Sequence, residues 1–412
     1  MSLDWNDDAE RLIGRDETCA VRLAGSDVSR RHASLSRTES ELVITDLESR
    51  NGVRVNGRAV TSARLGAGDV VRLGGWVGVV TSAPGVFAEL APGLFGGKVL
   101  ADALASLEKA AASDLPVVLE GETGTGKEIV TRSLHAWSGR SGPLVAVNCA
   151  SLPEGLAEAE LFGYRRGAFT GADRASPGFF RSAESGTLLL DEVSDLPMSV
   201  QAKLLRVLEQ REVQPLGETR TVPVNVRMVV ASQGSLEQAV EEGRFRADLL
   251  ARLEGVTVRL PPLRKRREDV PRLFSHFLGE QSQGRAPAIE VDLVERLLVH
   301  DWPFNVRELV LLVRRLLVLH GNESTLRSHH LPERMGEPAP AEGSSPRKAP
   351  PSPVPAAAPE AVGLPALMVA LRTAGGNVAR ASAILGITRQ RAYRLMDDHG
   401  IDLEALRQKE RP

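Results

Sequence analysis

Residues 116–128 carry the first pattern in this chain that could do chemistry. Pro116-Val117-Val118-Leu119-Glu120 is a buried-strand pattern that runs into Gly121-Glu122-Thr123-Gly124-Thr125-Gly126-Lys127-Glu128, with helix-forming residues after it. Glycines at that spacing let backbone N–H groups curl around phosphate oxygens at a helix N-terminus, while the lysine reaches the terminal phosphates. Glu128 stands where a hydroxyl usually follows the lysine, so a Mg²⁺ ion would need other ligands. A second apolar run, Thr187-Leu188-Leu189-Leu190, ends in Asp191-Glu192. Two acids after a strand are commonly a solvated strand end. Beside a phosphate loop they suit Mg²⁺ coordination by Asp191 and water activation by Glu192. ATP hydrolysis also needs positive charge against its transition state. Arg246 and Arg252 are candidates, although arginines are usually surface ion-pair residues. About forty residues past Lys127, Gly167-Ala168-Phe169-Thr170-Gly171-Ala172 sets one Phe-Thr pair among small residues. Such a stretch cannot bury itself, because its glycines favour turns. It is either an ordinary glycine-rich loop or a mobile loop that presents Phe169 and Thr170 to a partner.

The elements that must position these groups can be read in order. Before residue 82 the chain has short alternating runs (42–44, 53–55, 70–73 and 77–80) with Asn51-Gly52 and Asn56-Gly57 as turn signals, which predicts a small all-β domain. Residues 83–97 read as a Pro/Gly-containing linker. Strand-like and helical patterns then alternate over 98–332, as in an α/β nucleotide-binding core, and the end of this block, from about 265, is helical. Residues 333–362 are rich in Pro, Ala, Glu and Ser and read as a second linker, and 363–412 resume helical periodicity. The chain has 412 residues, enough for two to four domains, with 42% hydrophobic residues and 25% charged ones. No apolar run is long enough to span a bilayer, the start is acidic, and two cysteines exclude a disulfide framework or a four-cysteine metal site, so the chain reads as cytoplasmic. A net charge of −2 means that any nucleic-acid surface must be local.

The phosphate loop, the 167–172 hexapeptide, Phe245-Arg246-Ala247-Asp248-Leu249-Leu250-Ala251-Arg252, Leu260-Pro261-Pro262-Leu263-Arg264 and Trp302-Pro303-Phe304-Asn305-Val306-Arg307-Glu308-Leu309 occur in the order of one family. Over 98–332 the chain resembles the bacterial enhancer-binding proteins, AAA+ activators of sigma-54 RNA polymerase. The resemblance implies ATP bound by residues 121–128, with Mg²⁺ held by Asp191. Asn148 would restrain the catalytic Glu192, Arg246 and Arg252 would reach a neighbouring subunit's ATP, and Arg307 would be the sensor arginine of a helical lid. It further implies a homo-oligomeric ring, usually a hexamer, and a 167–172 loop that touches sigma-54. Three positions depart from the pattern. Gln233, in Ala231-Ser232-Gln233, stands where Thr-Asn is usual in the γ-phosphate sensor, Phe304 replaces a lid glycine, and Tyr164-Arg165 stand where His-Glu is common.

Both ends of the chain add partners. Leu12-Ile13-Gly14-Arg15, Val28-Ser29-Arg30-Arg31-His32-Ala33 and Ser49-Arg50-Asn51-Gly52 are weak signals singly. Together, on an all-β background, they resemble a forkhead-associated (FHA) domain, which binds phosphothreonine peptides. Arg15, Ser29 and Arg30 match its phosphate-facing positions, Asn51 its peptide-backbone ligand and His32 a structural brace. Phosphate recognition needs charge-assisted donors of this kind. About a dozen residues precede Gly14-Arg15, fewer than that family's opening strands usually need, so the sandwich is trimmed or the natural start lies upstream. At the other end, Val378, Ala381 and Leu385 mark a helix, Gly386-Ile387 a turn, and Thr388 an N-cap for a last helix. Arg389, Gln390, Arg391 and Arg394 then face outward, which fits either a major-groove helix or a small bundle with a solvated basic face. Gly375-Gly376-Asn377-Val378 with Leu385-Gly386-Ile387-Thr388 resembles the Fis-type helix-turn-helix domain, which implies dimeric DNA binding.

The expected whole is a sigma-54-dependent activator that binds enhancer DNA, hydrolyses ATP in a ring and answers to a phosphothreonine protein or Ser/Thr kinase. Two rivals remain at this stage. One is an AAA+ remodeller of another protein, and the other is a phosphopeptide-regulated DNA-binding repressor with a vestigial ATPase.

Overall fold

Buried and exposed residues alternate along the first strands, with Val53 and Val55 inward and Arg54 outward, so each strand covers one side of a core. The structure, a computed structural model, describes residues 10–38, 41–82, 85–282 and 285–335. Strands β1 (Arg11–Gly14), β2 (Val21–Arg22), β3 (Ala33–Thr38), β4 (Glu41–Asp46), β5 (Val53–Val55), β6 (Arg58–Val60), β7 (Ser62–Leu65), β8 (Val70–Leu73) and β9 (Trp76–Val79) form two sheets. Their orders are β2-β1-β3-β4-β7 and β6-β5-β8-β9. Ile13, Val28, Ala33, Ile44, Val53 and Leu73 fill the space between them. The turn signals predict a small all-β domain, and the FHA resemblance a sandwich; both are found.

The stretch read as a linker is structured. Strands β10 (Ala88–Ala91) and β11 (Leu94–Gly96) pair as a hairpin, turned at Pro92-Gly93 with Gly93 at φ +76°. Helix α1 (Lys98–Lys109) follows directly.

The next part alternates as expected: β12 (Val117–Glu120), α2 (Lys127–Ser138), β13 (Leu144–Asn148), α3 (Ala157–Phe162), α4 (Gly178–Ser182), β14 (Thr187–Asp191) and α5 (Met198–Gln210). A short ladder of β15 (Glu212–Val213) and β16 (Val222–Pro223) precedes β17 (Arg227–Ser232), α6 (Leu236–Glu241), α7 (Ala247–Leu253) and β18 (Val256–Arg259). The central sheet is parallel, in the order β13-β14-β17-β12-β18. Successive residues of β14 feed opposite cores, Leu188 and Leu190 towards the side of α5 and α7, and Leu189 towards α1 and α2. A sheet buried on both faces is why its strands read as continuous apolar runs.

The lid comprises α8 (Val270–Gln281), α9 (Val291–Val299) and α10 (Asn305–His320), tied at one end by β19 (Ala288–Ile289) pairing with β20 (Thr325–Leu326). Leu273, Phe274, Leu297, Leu309, Val313 and a fully buried Trp302 form its core. Burying a side chain of this kind contributes about 1.5–3 kcal/mol. Met335 packs into the same core at 4% exposure, so the lid continues past 332 into the stretch read as linker. The sandwich and the ATPase-like part belong to one compact unit. Thr388, Arg389, Gln390, Arg391 and Arg394 lie outside the described residues. No helix among the described residues is long and apolar enough to cross a membrane.

Candidate active site

The phosphate-loop segment springs from the C-terminal end of β12. Its base is fixed, because buried Glu120 accepts the Leu236 N–H (3.1 Å) and pairs with Arg259 (2.7 Å). Gly124 (φ +78°) and Gly126 (φ +108°) take left-handed backbone, which side chains disfavour. Helix α2 begins immediately after, at Lys127. Lys127 is 8% exposed; its Nζ donates to the Gly121 carbonyl (2.7 Å) and lies 3.8 Å from Glu192 Oε1. Thr125 Oγ1 folds back onto the Glu122 carbonyl (2.8 Å).

Pairing of β13 with β14 sets Asn148 beside Asp191 at the same sheet edge. Asp191 Oδ1 accepts the Glu192 N–H (3.1 Å), and Glu192 is held at φ +53°. Glu192 Oε2 accepts the Gln233 N–H (3.1 Å), and Gln233 Nε2 donates to Thr123 Oγ1 (3.0 Å). Lys127, Glu192, Gln233 and Thr123 therefore close into one circuit around the loop, with Gln233 in place of the usual asparagine. Such a cluster of donors and one carboxylate can hold a phosphate chain and polarise a water beside it.

The lid lies across this loop. Asn305 is fully buried, with Nδ2 donating to the Thr123 carbonyl (3.0 Å) and to Glu122 Oε2 (3.3 Å). Its Oδ1 accepts the Leu263 N–H (2.7 Å), and the next amide, Val306, donates to the Gly124 carbonyl (3.0 Å). Arg264 forks onto both carboxylate oxygens of Glu122 (2.7 and 2.5 Å). That fork holds the Glu122 pKa below its ordinary 4.5, against the opposing effect of burial. A Cβ on Gly124 would sit 2.2 Å from the Phe304 carbonyl and 3.0 Å from Arg307 Cβ, so only glycine admits the lid here. Sequence reasoning assigned no role to Asn305 or Arg264. The signal was present in the motifs that contain them, but the contacts join segments far apart in the chain.

Several expected residues are placed differently. Asn148 Oδ1 accepts the Ala150 N–H (3.0 Å), capping its own short turn, and no Asn148–Glu192 hydrogen bond occurs among the described residues; Glu192 is taken by Gln233 instead. Glu128 pairs with Arg132 (2.7 Å) on an exposed stretch of α2. Arg246, the N-cap of α7, forks onto Asp248 (2.9 and 2.6 Å), which raises the arginine's pKa, and Arg252 reaches the Leu208 carbonyl (3.4 Å). Neither arginine bonds the phosphate loop among the described residues of this chain.

In residues 167–172, Gly167 N–H donates to the Ala172 carbonyl (2.8 Å), and the loop's base is tied to the segment after β15 through Arg165 N–H and the Leu216 carbonyl (3.1 Å). Thr170 is exposed as expected. Phe169 is half-buried, edge-on to Tyr164 with ring centres 5.0 Å apart, so the pair is not presented equally. In the sandwich, the loops carrying Arg15, Ser29, Arg30 and Asn51 converge. Ser29 Oγ accepts the Arg50 N–H (3.0 Å), its carbonyl accepts the Arg15 N–H (3.1 Å), and Asn51 Nδ2 donates to the Asp27 carbonyl (2.6 Å). Fully buried His32 accepts the Ser29 N–H at Nδ1 (3.1 Å), which leaves its proton on Nε2 for the Gly52 carbonyl (3.1 Å). Gly14 is required, since a Cβ there would lie 2.1 Å from the Arg30 carbonyl.

His320, Glu323 and His330 bring three ligand atoms within 4.8 Å. A metal does not fit them. Arg327 N–H donates to His330 Nδ1 (3.1 Å), so a neutral His330 carries its proton on Nε2, the atom that faces Glu323, whereas a metal-bound histidine donates through its other nitrogen.

The sigma-54 interaction domain family matches residues 95–259, the FHA domain family 11–74 and the AAA+ ATPase lid domain family 264–348. The pathogenicity locus probable regulatory protein WtsA of Pantoea stewartii subsp. stewartii is 49% identical over 218 residues, covering 52% of this chain and 68% of that one. The chain belongs to the sigma-54-dependent activator family. Another member, the Sigma54-dependent transcriptional activator SfnR of Pseudomonas putida, is 47% identical over 223 residues, 53% of this chain and 61% of SfnR. The match to the DNA-binding transcriptional activator HyfR of Escherichia coli (strain K12) spans only 36% of HyfR, at 45% identity. Among solved structures, NtrX from Brucella abortus in complex with ATP superposes with a TM-score of 0.54 at 30% identity, over 75% of this chain and 69% of that chain. The FHA match thus precedes the sigma-54 interaction domain in this member of the sigma-54 activators.

Proposed function

We propose that this activator hydrolyses ATP to remodel sigma-54 RNA polymerase at promoters reached from enhancer DNA, under control of phosphothreonine recognition by its FHA domain. The observation that carries the reading is the circuit of Lys127, Glu192, Gln233 and Thr123 beneath the lid, in a chain that also keeps the 167–172 loop. Residues 121–127 hold the phosphates, Glu192 turns a water towards the terminal one, and Gln233 links the two. Arg307, whose Cβ lies over Gly124, senses the nucleotide from the lid. Mg²⁺ fits the acids that end β14, where Asp191 would hold it and it would draw charge from the phosphates. Glu128 is engaged by Arg132 and is not needed for this.

Arg246 at the N-cap of α7 and Arg252 on it complete the site of a neighbouring copy, which makes a ring, a hexamer by family habit, the working state. Asn148 restrains Glu192 by donating from Nδ2, the amide atom left over when Oδ1 accepts the Ala150 N–H. The loop at 167–172 meets sigma-54 through Phe169 and Thr170. Arg15, Ser29, Arg30 and Asn51 take the phosphopeptide, and Thr388, Arg389, Gln390, Arg391 and Arg394 take the DNA.

The deciding experiment pairs Glu192→Gln with Thr170→Ala in steady-state ATPase and sigma-54 transcription assays. Glu192→Gln should bind ATP without turnover. Thr170→Ala should hydrolyse ATP but not activate. Unchanged hydrolysis in the first rejects the site, and unchanged activation in the second favours an AAA+ remodeller of another target.

A further inference from the structure

The FHA sandwich has two faces, and the sheet β6-β5-β8-β9 turns one of them to the lid. Along β8, Leu73 points into the sandwich core, while Val70 (1% exposed) sits in the lid core with Leu263, Val270, Leu293 and Leu297. Val77 and Val79 of β9 pack against the same core. Arg72 lies on the lid side between them: its Nη1 donates to Glu295 Oε2 (2.6 Å) and pairs with Asp292, both on α9. Arg54 stands directly opposite Arg72 in the β5–β8 register and is 3.5 Å from the same Glu295 oxygen. Two arginines facing each other across a sheet repel. Here the repulsion is met by acids from another domain. From the lid side, Arg267 Nη1 donates to the Gly68 carbonyl (3.2 Å). Burial works against the Arg72 charge, yet Glu295 and Asp292 hold its pKa above the ordinary value.

Arg72 also faces the other way. Its Nε donates to the Gly74 carbonyl (2.9 Å). Gly74 is packed so closely on Asp27 that a Cβ would sit 2.5 Å from the Asp27 carbonyl, the same carbonyl that accepts Asn51 Nδ2 (2.6 Å). At the far end of α9, His300 contacts Glu308 Oε1 (3.1 Å), the neighbour of Arg307. An unbroken line of contacts therefore runs from the phosphopeptide loops to the helix that carries the nucleotide-sensing arginine.

We infer that the lid-facing sheet of the FHA domain is the input port of the ATPase, with Arg72 the positioning residue that ties the Asn51 loop to helix α9. The inference rests on the phosphothreonine reading of the FHA loops and names the route by which that signal travels. Because the tie is a single thermodynamic coupling, it is reciprocal: nucleotide state is felt at β8–β9 as much as phosphopeptide is felt at α9.

Hydrogen exchange on the full chain tests this. Arg72→Glu would bring three acids together and separate the faces. Amides over 70–79 and 291–299 should then exchange about tenfold faster or more, while β1 and β3 keep their protection and report an intact sandwich. Adding ADP should change exchange over 70–79 in the parent and not in the variant. A pool of phosphothreonine peptides with degenerate flanks should change exchange over 291–299 in the parent alone. Arg72→Met repeats the comparison with a milder change. Equal ligand-free exchange in parent and variants overturns the docking, and no response of 70–79 to bound ADP overturns the coupling. A peptide pool that binds neither protein sinks the phosphothreonine reading, and the ADP arm still decides the coupling.

Discussion

Asn305→Ala should loosen the lid from the phosphate loop, and its size can be worked from the contacts. The substitution removes the acceptor of the Leu263 N–H and the donor to the Thr123 carbonyl, both at a fully buried position. Each backbone group left unpartnered costs about 1–3 kcal/mol. Asn305 also sits at φ +51°, where alanine is strained by about 1–2 kcal/mol. Together these amount to about 3–8 kcal/mol, or roughly 6–32 °C in the midpoint of thermal unfolding for a part of this size. Asn305→Gly loses the same bonds but tolerates the backbone, so it should recover about 1–2 kcal/mol of the loss. The assay is differential scanning calorimetry of parent and both variants, alongside titration with a fluorescent ADP analogue, whose affinity should fall with lid docking. If Asn305→Ala stays within about 1 kcal/mol of the parent, or if the glycine variant is the less stable of the two, the strap reasoning is wrong.

Three further expectations are independent of it. Burial first, then the carboxylates of Asp191, Asp195 and Glu192, push the Cys149 thiol up to about 12 from 9.0. Its thiolate at pH 8 is thus roughly 1,000-fold scarcer than for a free thiol, so iodoacetamide should label Cys149 only after urea is added; rapid native labelling would contradict the geometry. His32→Ala strands the Ser29 N–H and the Gly52 carbonyl, and should destabilise the sandwich by about 2–6 kcal/mol in a denaturant melt; an unchanged midpoint would mean that the loops hold themselves. Glu122 has a depressed folded pKa, so the stability from its Arg264 fork is present above 4.5 and lost as pH falls through the depressed value. The thermal difference between parent and Glu122→Gln should therefore persist at neutral pH and close only below pH 4.5. Closure already near pH 6 would rule out the fork as its source.

What could be read from sequence was what is local. The strand-glycine-lysine-helix run around Lys127 and the turn glycines at 52 and 57 depend on neighbours a few residues away, and the structure has them in those conformations. Phe304 looked like a breach of pattern because glycine is usual there. Its φ is −111°, open to any residue, and its side chain is exposed, so the backbone does not require glycine at that point. The 88–96 hairpin was missed although Pro92-Gly93 is a turn signal, because its strands are short and only partly apolar. Asn305 and Arg264 were illegible for a different reason: their partners Glu122 and Thr123 lie far away in the chain, and no periodicity reports such a contact. The FHA-to-lid face did leave a trace. Val70 and Val71 are adjacent apolar residues on opposite faces of β8, which a strand with one wet face does not need.

That face bears on where this protein can be cut. A fragment beginning at α1 would carry every group of the nucleotide site, and by chain position it looks like a complete module. It would also uncover the apolar floor on which Val70, Val77 and Val79 rest, and would leave Glu295 and Asp292 without their arginines. Exposed apolar floors of this kind are sites of self-association. The seam between modules along the chain is therefore not the seam in space: the lid of this activator is finished by residues that precede it by some two hundred positions.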